Sequence, residues 1–282
     1  MKKIIFVLTS IIASYVLNAQ VKTPAPSPHA TLTQVVGLTD VTIDYSRPSS
    51  KGRAIFGDLV PFGKLWRTGA NLNSTVTFSE DVVINGTTLK KGKYAIFTTP
   101  KADMWEVIFY TDTDNWGTPD NWDVNKAALV TNVDPIALGN NVESLTIGIN
   151  NLTNDSATLD ISWEKTMVSV KFTVPTQKAA LASIEKVLAG PTAGDYFSAA
   201  QYFYQSNGDM NKALEYINKA TTLAKGEVPF WHLRQKSLIQ AKLGDKAGAI
   251  ATAKLSLAGA EKEKNADYVK MNNDSIKEWS KK

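Results

Sequence analysis

The chain has 282 residues, no cysteine and two histidines, and its formal net charge at pH 7 is +4. The lack of cysteine excludes disulfides, thiolate metal sites and thiol catalysis. The small net charge gives no basis for nucleic-acid binding, and the length suits one large domain and one smaller domain.

Residues 1–19 have the pattern of a cleavable secretory signal peptide. Lys2 and Lys3 precede an apolar run that ends at Ala19, a small residue suited to cleavage. The run is shorter than the roughly 20 apolar residues of a spanning helix, although an uncleaved anchor is the alternative. We therefore expect a periplasmic or secreted protein with no transmembrane span after cleavage. Residues 20–29 contain three prolines and predict an extended leader.

Residues 30–175 predict a mainly β domain. Ten short runs rich in Val, Ile, Thr, Tyr and Phe are separated by turn residues, and Asn85-Gly86 is typical of a two-residue hairpin turn. The runs are TLTQVVG, VTIDYS, TVTFS, VVING, KYAIFTT, MWEVIFYT, AALVTNV, SLTIGIN, ATLDISW and MVSVKFTV. The pattern predicts an antiparallel sandwich or barrel, jelly-roll-like, without fixing the strand order.

Residues 46–71, here called the cationic crossover, carry five cations against one acid, Asp58. One interpretation is a binding loop for a glycan or an anionic small molecule. The candidate ligand-binding residues are Arg47, Arg53, Arg67 and Asn71. The other interpretation is a structural crossover whose cations pair with Asp44, Asp58 and strand acids. Its apolar residues would then close the end of the β domain: Ile55, Phe56, Leu59, Val60, Phe62, Leu65 and Trp66. The two interpretations are compatible.

Residues 111–123, here called the tryptophan loop, contain four aspartates and two tryptophans, Trp116 and Trp122. The spacing fails as a calcium loop because Trp116 stands at the third ligand position, so we expect no metal and no cofactor. The two indoles are candidate ligand-binding residues for a sugar ring or a partner surface. Alternatively, both side chains cover the end of the sandwich.

The chain from residue 27 to residue 174 resembles the bacterial exported domain of unknown function 2911. The resemblance rests on SPHATLTQVVGLTDVTIDYSRP, KGRAIFGDLVPFGKLWRTGAN, VVINGTTLKKGKYAIFTTP and the Trp116-Gly117 pair before an acidic loop. It implies an exported, mostly β domain and no established activity. Members commonly carry an acid after the Gly-Ala-Asn triplet, where this chain has Leu72.

Residues 176–282 predict an all-α domain of helical hairpins. The turns Asn207-Gly208-Asp209 and Leu243-Gly244-Asp245 lie 36 residues apart, a period that resembles tetratricopeptide repeats. Residues that match that family's spacing are Tyr204, Gly208, Ala213, Ile217 and Ala220, whereas Gln240 departs from it. Four aromatic residues are candidates either for a protein-partner surface or for the repeat core: Tyr202, Tyr204, Phe230 and Trp231.

No catalytic residues are predicted. His29 lies in the leader and His232 in a helix, so neither is placed for a histidine-based triad, and no glycine-rich phosphate loop occurs. The sequence therefore favours an exported non-enzymatic binding protein with a β domain for a ligand and helices for a protein partner. The alternatives are a hydrolase or sugar-processing enzyme that uses the acids of the tryptophan loop with Arg67, and a purely structural envelope protein.

Overall fold

The computed structural model describes residues 23–187 and 191–281. Within these ranges, ten β-strands are followed by six α-helices. The predicted signal peptide and the start of the leader lie outside the described residues. None of the helices in the described ranges combines the length and the apolar character needed to cross a membrane.

The strands form two antiparallel sheets. Their bounds are β1 His29–Val36, β2 Thr39–Ser46, β3 Thr75–Phe78, β4 Val82–Ile84, β5 Thr87–Leu89, β6 Gly92–Thr99, β7 Trp105–Tyr110, β8 Ala127–Val133, β9 Ile136–Asn150 and β10 Ser156–Thr173. The six-stranded sheet has the order β1-β2-β3-β6-β7-β8, and the four-stranded sheet has the order β5-β4-β10-β9. The predicted sandwich is confirmed; the barrel alternative is wrong, because the two sheets have separate edges.

One hydrophobic core lies between the sheets. Along β2, Val41, Ile43 and Tyr45 are buried while the residues between them are more exposed, as expected for a strand with one face on a core. The same core contains residues from both sheets, and the rings of Phe78 and Phe172 meet across it with centroids 5.5 Å apart. The alternation read from the sequence therefore corresponds to burial between two packed layers.

The strand count agrees with the prediction only because two differences cancel. The second arm of the predicted Asn85-Gly86 hairpin, β5, was not among the ten runs, and the last two predicted runs form one strand, β10. The polar residues Glu164 and Lys165 looked like a turn, but the pairing of β10 with β9 continues past them through register shifts, with Glu164 at φ +53°. Between Ser162 and Thr166 of β10, the partner strand β9 runs from Thr146 to Ala137, so the extra residues lie on β9 and β10 continues without a break.

The helices are α1 Thr176–Val187, α2 Ala193–Gln205, α3 Met210–Thr222, α4 Phe230–Lys242, α5 Lys246–Lys262 and α6 Ala266–Trp279. The two turns predicted at residues 207–209 and 243–245 join α2 to α3 and α4 to α5. Asp209 and Asp245 are the N-caps of α3 and α5, and their carboxylates accept backbone N–H bonds of the first turn. The predicted all-α C-terminal part is confirmed.

Candidate functional site

The cationic crossover packs against the core. Ile55 is fully buried, and the ring centroid of Phe56 lies 4.6 Å from that of Trp105 on β7. The indole of Trp66 stacks on that of Trp163 from β10 at 5.8 Å. Most of the apolar side chains of the segment are therefore covered, with Leu59 and Phe62 left exposed.

Backbone hydrogen bonds tie the crossover to both sheets. The Ser50 N–H donates to the Glu143 carbonyl of β9 at 2.7 Å. On the six-stranded sheet, Trp66 and Thr98 exchange two backbone bonds of 2.8 and 2.9 Å. The irregular segment is thus fixed in position although it belongs to no regular strand.

The arginines of the crossover bind oxygen atoms of the backbone and a hydroxyl rather than carboxylates. Arg47 donates from Nε to the Leu145 carbonyl at 2.9 Å and from Nη2 to Thr146 Oγ1 at 2.8 Å. Arg53 donates to the Ser50 and Ser49 carbonyls at 2.9 and 2.7 Å. The expected ion pairs with Asp44 and Asp58 are not formed, since no ion pair among the described residues includes an arginine.

Arg67 differs from the other two arginines. Its side chain is half-buried, and its buried Nε has no hydrogen-bond partner among the described residues. It lines a cleft of about 620 Å³, here called the cationic cleft. The lining residues are Pro26, Ser27, Pro48, Ser49, Lys51, Arg53, Leu59, Val60, Trp66, Arg67, Gly69, Ala70, Thr118 and Trp163. Three of them are cations and none is an acid.

The tryptophan loop lies beside this cleft. Asn73 donates from Nδ2 to the Gly117 carbonyl at 3.1 Å and accepts the Asn115 N–H at 3.0 Å on Oδ1. Gly117 has φ +109°, and a Cβ on it would lie 3.1 Å from Arg67 Nη1. The loop backbone therefore approaches the guanidinium closely, and Thr118 forms part of the cleft wall.

The two tryptophans of the loop have different surroundings. Trp116 is 73% exposed, and its backbone forms an isolated antiparallel bridge with Leu72. Trp122 stacks on Tyr110 at 4.3 Å and meets Phe97 edge-on at 5.2 Å, on the outer face of the six-stranded sheet. Trp122 therefore covers a sheet face and does not line the cationic cleft.

Asn71 and Arg47 also lie outside the cleft lining. Asn71 has φ +61° and donates from Nδ2 to Ser46 Oγ at 3.2 Å and to the Ser27 carbonyl at 3.4 Å. These bonds hold the leader against the end of β2. Of the six predicted ligand-binding residues, the structure brings Arg53 and Arg67 together in the cleft and places Trp116 next to it.

The backbone beside Arg67 is strained. Thr68 has φ +54°, which is unfavourable for a β-branched residue and costs of order 1–3 kcal/mol. Thr68 is fully buried, its hydroxyl pairs with that of Thr98 at 3.1 Å, and its carbonyl accepts the Ser74 hydroxyl at 2.7 Å. These bonds hold the conformation that directs Arg67 into the cleft.

The acids near the site bind protein groups. The pKa of Glu143 is lowered, mainly because its carboxylate accepts hydrogen bonds from the Ser50 hydroxyl and the Lys51 N–H; the charge of Arg53 makes a smaller contribution. In the tryptophan loop, Asp112 pairs with Lys126 at 3.2 Å and raises the pKa of that lysine, and Asp123 caps a short 3-10 helix. Across residues 23–187 and 191–281, no cluster of acids and histidines could hold a metal ion.

The predicted partner-binding residues of the helices do not share one surface. Tyr202 lines an apolar pocket of about 420 Å³ formed with α1 and the turns at Gly37 and Asn154. Tyr204 lies under Lys242 Nζ at 5.1 Å, and Phe230 is buried against Tyr268. Trp231 is 43% exposed and, together with Phe230, lines a second cavity of about 510 Å³.

The sequence did not single out Lys51, Thr118 or Trp163 as site residues. Lys51 belongs to the cationic crossover and could have been found from the charge pattern. Trp163 lies far along the chain from the cationic crossover, on a predicted strand, and no local feature of that strand indicates a place in the cleft. Its place in the wall depends on how β10 packs under the crossover.

Comparisons with known proteins identify the family of the chain but do not indicate an activity. No curated protein and no solved structure matches the chain. One family model, described as Protein of unknown function (DUF2911), matches residues 27–172, which include both sheets, the cationic crossover and the tryptophan loop. The chain therefore belongs to the DUF2911 family.

Proposed function

We propose that the protein is an exported, non-enzymatic binding protein whose cationic cleft takes an anionic ligand through Arg67. The observation that carries the proposal is the buried Arg67 Nε, which has no hydrogen-bond partner in a cleft that three cations and no acid line. Lys51 and Arg53 supply the two further positive charges.

The physical argument rests on the cost of an unpaired buried donor. A buried donor without an acceptor loses its hydration and gains nothing in exchange, at a cost of about 1–3 kcal/mol. A carboxylate, phosphate or sulfate group in the cleft would pair with the guanidinium of Arg67 and offset the cost of its unpaired donor, since a guanidinium binds such groups through two parallel bonds. The strained Thr68 and the close approach of Gly117 support a guanidinium that is held in place before a ligand arrives.

The surroundings of the acids favour binding over hydrolysis. The enzyme alternative needs acids of the tryptophan loop to face Arg67 across a cleft. Asp112 instead pairs with Lys126, Asp123 caps a backbone turn, and none of the cleft-lining residues is an acid. We therefore assign no catalytic residue.

The other parts of this proposal rest on the sequence and on the helices. The basic and apolar start of the chain supports export. The 36-residue spacing of two turns, with Ala213 and Ala249 fully buried four residues after each capping aspartate, supports tetratricopeptide-like hairpins. The exposed Trp231 beside a cavity supports a protein-contact surface on α4 and α5.

The test is a ligand screen on the purified protein by calorimetry and thermal unfolding, with phosphate, sulfate, galacturonic acid and uncharged galactose. We expect anions to raise the Tm, by an amount equivalent to about 2.7 kcal/mol at a hundredfold excess over Kd. Arg67→Gln should weaken anion binding about tenfold or more, because a charge-assisted bond is lost.

Lys64→Gln is the matched control, since Lys64 is an exposed cation of the same segment outside the cleft lining. This variant should bind anions like the wild type. A screen in which no anion shifts the Tm, or an Arg67→Gln protein with wild-type affinity, would refute the proposal.

A further inference from the structure

The largest exposed apolar ring in the described part of the chain lies next to the cationic cleft. Trp116 is 73% exposed, the highest value among the large apolar side chains of residues 23–187 and 191–281. Leu72, its partner in the antiparallel bridge, is 54% exposed. An indole and an isobutyl group side by side in water form an apolar platform that none of the described residues covers.

The platform continues directly into the cleft. Gly117, the residue after Trp116, packs its backbone against Arg67 Nη1, and Thr118 is part of the cleft wall. A ligand that pairs with Arg67 therefore lies within a few residues of the indole. Gly117 and Thr118 therefore connect the two features along the chain, with the charged cleft on one side and the exposed indole on the other.

The platform is rigidly attached. Asn73 is 5% exposed, and its amide bonds to Gly117 and Asn115 fix the tryptophan loop on the strand-connecting segment before β3. The Asn73 N–H also donates to the Asn115 carbonyl at 3.2 Å. An aromatic surface held in place in this way binds without a large ordering cost.

The chemistry of this surface fits a sugar chain with acidic groups. Sugar rings present an apolar C–H face that stacks on an indole, and their hydroxyls bond to hydroxyl-bearing residues such as Ser27, Ser49 and Thr118 of the cleft. An acidic peptide is a poorer fit. A peptide could add to β9, the edge strand beside the cleft, only where the backbone of β9 is free, and Ser144 of β9 already pairs there with Ser49 of the cationic crossover.

Building on the anion site proposed above, we infer that the ligand is an anionic glycan chain. One acidic sugar pairs with Arg67 inside the cationic cleft, and a neighbouring sugar ring of the same chain stacks on Trp116. A single acidic sugar occupies only the charged end, so affinity should rise with chain length.

The experiment measures binding by calorimetry for galacturonic acid, its tetramer, an uncharged galactose tetramer and a tetraglutamate peptide. We expect the acidic tetramer to bind about tenfold or more tightly than either the monomer or the uncharged tetramer. Trp116→Ala should remove the advantage of the tetramer and leave monomer binding unchanged, whereas Arg67→Gln should weaken both. Trp231→Ala, which removes an exposed indole from the helices, is the matched control and should change neither affinity.

The outcomes separate this inference from the proposal on which it rests. Equal affinities for monomer and tetramer, or a tetramer advantage that survives in Trp116→Ala, would overturn the glycan inference and leave the anion site intact. Arg67-dependent binding of phosphate without galacturonate binding would do the same, as would tighter binding of tetraglutamate. Tetramer binding that is indifferent to Arg67→Gln would instead overturn the anion site.

Discussion

At the scale of single residues, the three arginines of the cationic crossover show how surroundings decide a role. Arg47 and Arg53 each find two oxygen acceptors within the protein, so their guanidinium groups brace the segment. Arg67 has a buried Nε with no acceptor in the part of the chain that the structure describes. The same side chain therefore braces the segment at two positions and keeps an unpaired donor at the third.

The contrast predicts opposite effects on stability. Arg47→Met should lower the free energy of unfolding by roughly 1–3 kcal/mol, because the Leu145 carbonyl and the Thr146 hydroxyl lose a charged donor. Arg67→Met should leave it unchanged or raise it, because a buried Nε without an acceptor is replaced by an apolar group and no hydrogen bond of that atom is lost. Urea unfolding followed by tryptophan fluorescence measures both values. A larger loss in Arg67→Met than in Arg47→Met would contradict the assigned roles.

At the scale of elements, α4 carries a buried histidine whose charge state affects the helices. The ring of His232 stacks on Phe197 of α2 with centroids 4.3 Å apart, and its buried Nδ1 has no hydrogen-bond partner within residues 23–187 and 191–281. Burial lowers the pKa of His232 below its usual value, because the charged form would lose its hydration. The packing of α4 on α2 therefore favours the neutral ring.

This shift predicts that the helices lose stability in mild acid. Below the unfolded-state pKa of about 6.5, the unfolded chain takes up a proton at His232 that the folded helices reject. Stability is fully present above that pH and falls as the pH decreases from about 6.5 toward the lower folded pKa. Thermal unfolding followed by circular dichroism at 222 nm between pH 7.5 and 5 measures the effect.

His232→Phe should flatten this pH dependence, since phenylalanine keeps the ring stacking and has no titrating group. His29→Phe changes the other histidine, which is exposed near the start of β1, and should keep the wild-type profile. Helices that unfold with the same pH profile in His232→Phe and in the wild type would show that another group controls the effect.

At the scale of the whole molecule, a short and packed connection joins the sandwich to the helices. β10 ends at Thr173 and α1 begins at Thr176, while the Val174 N–H donates to the Asp155 carbonyl at 2.8 Å. The turn between β1 and β2 contacts the same place, because Gly37 at φ +58° lies against Thr176 and the Asn154 carbonyl. Two turns of the sandwich thus surround the start of the first helix.

Gly37→Ala should destabilise this junction. The added Cβ would lie 2.4 Å from the Asn154 carbonyl oxygen, and the left-handed backbone adds strain. Gly86→Ala is the matched control, because Gly86 has φ +78° and open space around the missing Cβ. We expect Gly37→Ala to lower the free energy of unfolding by about 1–3 kcal/mol more than Gly86→Ala in urea titrations. Equal losses of unfolding free energy in the two variants would show that the junction accommodates the added Cβ at Gly37 and would contradict the prediction.

The amino-acid sequence by itself determined the elements of this protein, because their causes are local. Alternation with a period of two marked the strands, Asn85-Gly86 marked a hairpin, and the segments 207–209 and 243–245 marked the turns between helices. The local pattern was insufficient at β10, which continues past Glu164 while its register with β9 shifts.

Only the tertiary structure decided the site, because its parts are distant in the sequence. Ser49 contacts Ser144, Trp66 stacks on Trp163, and Arg67 lies against Gly117. No local sequence pattern predicts these contacts. The two indoles of the tryptophan loop show the same limit. Trp122 is covered because a sheet face with Phe97 lies beneath it, whereas Trp116 projects into solvent, since side-chain burial depends on which surfaces the fold brings together.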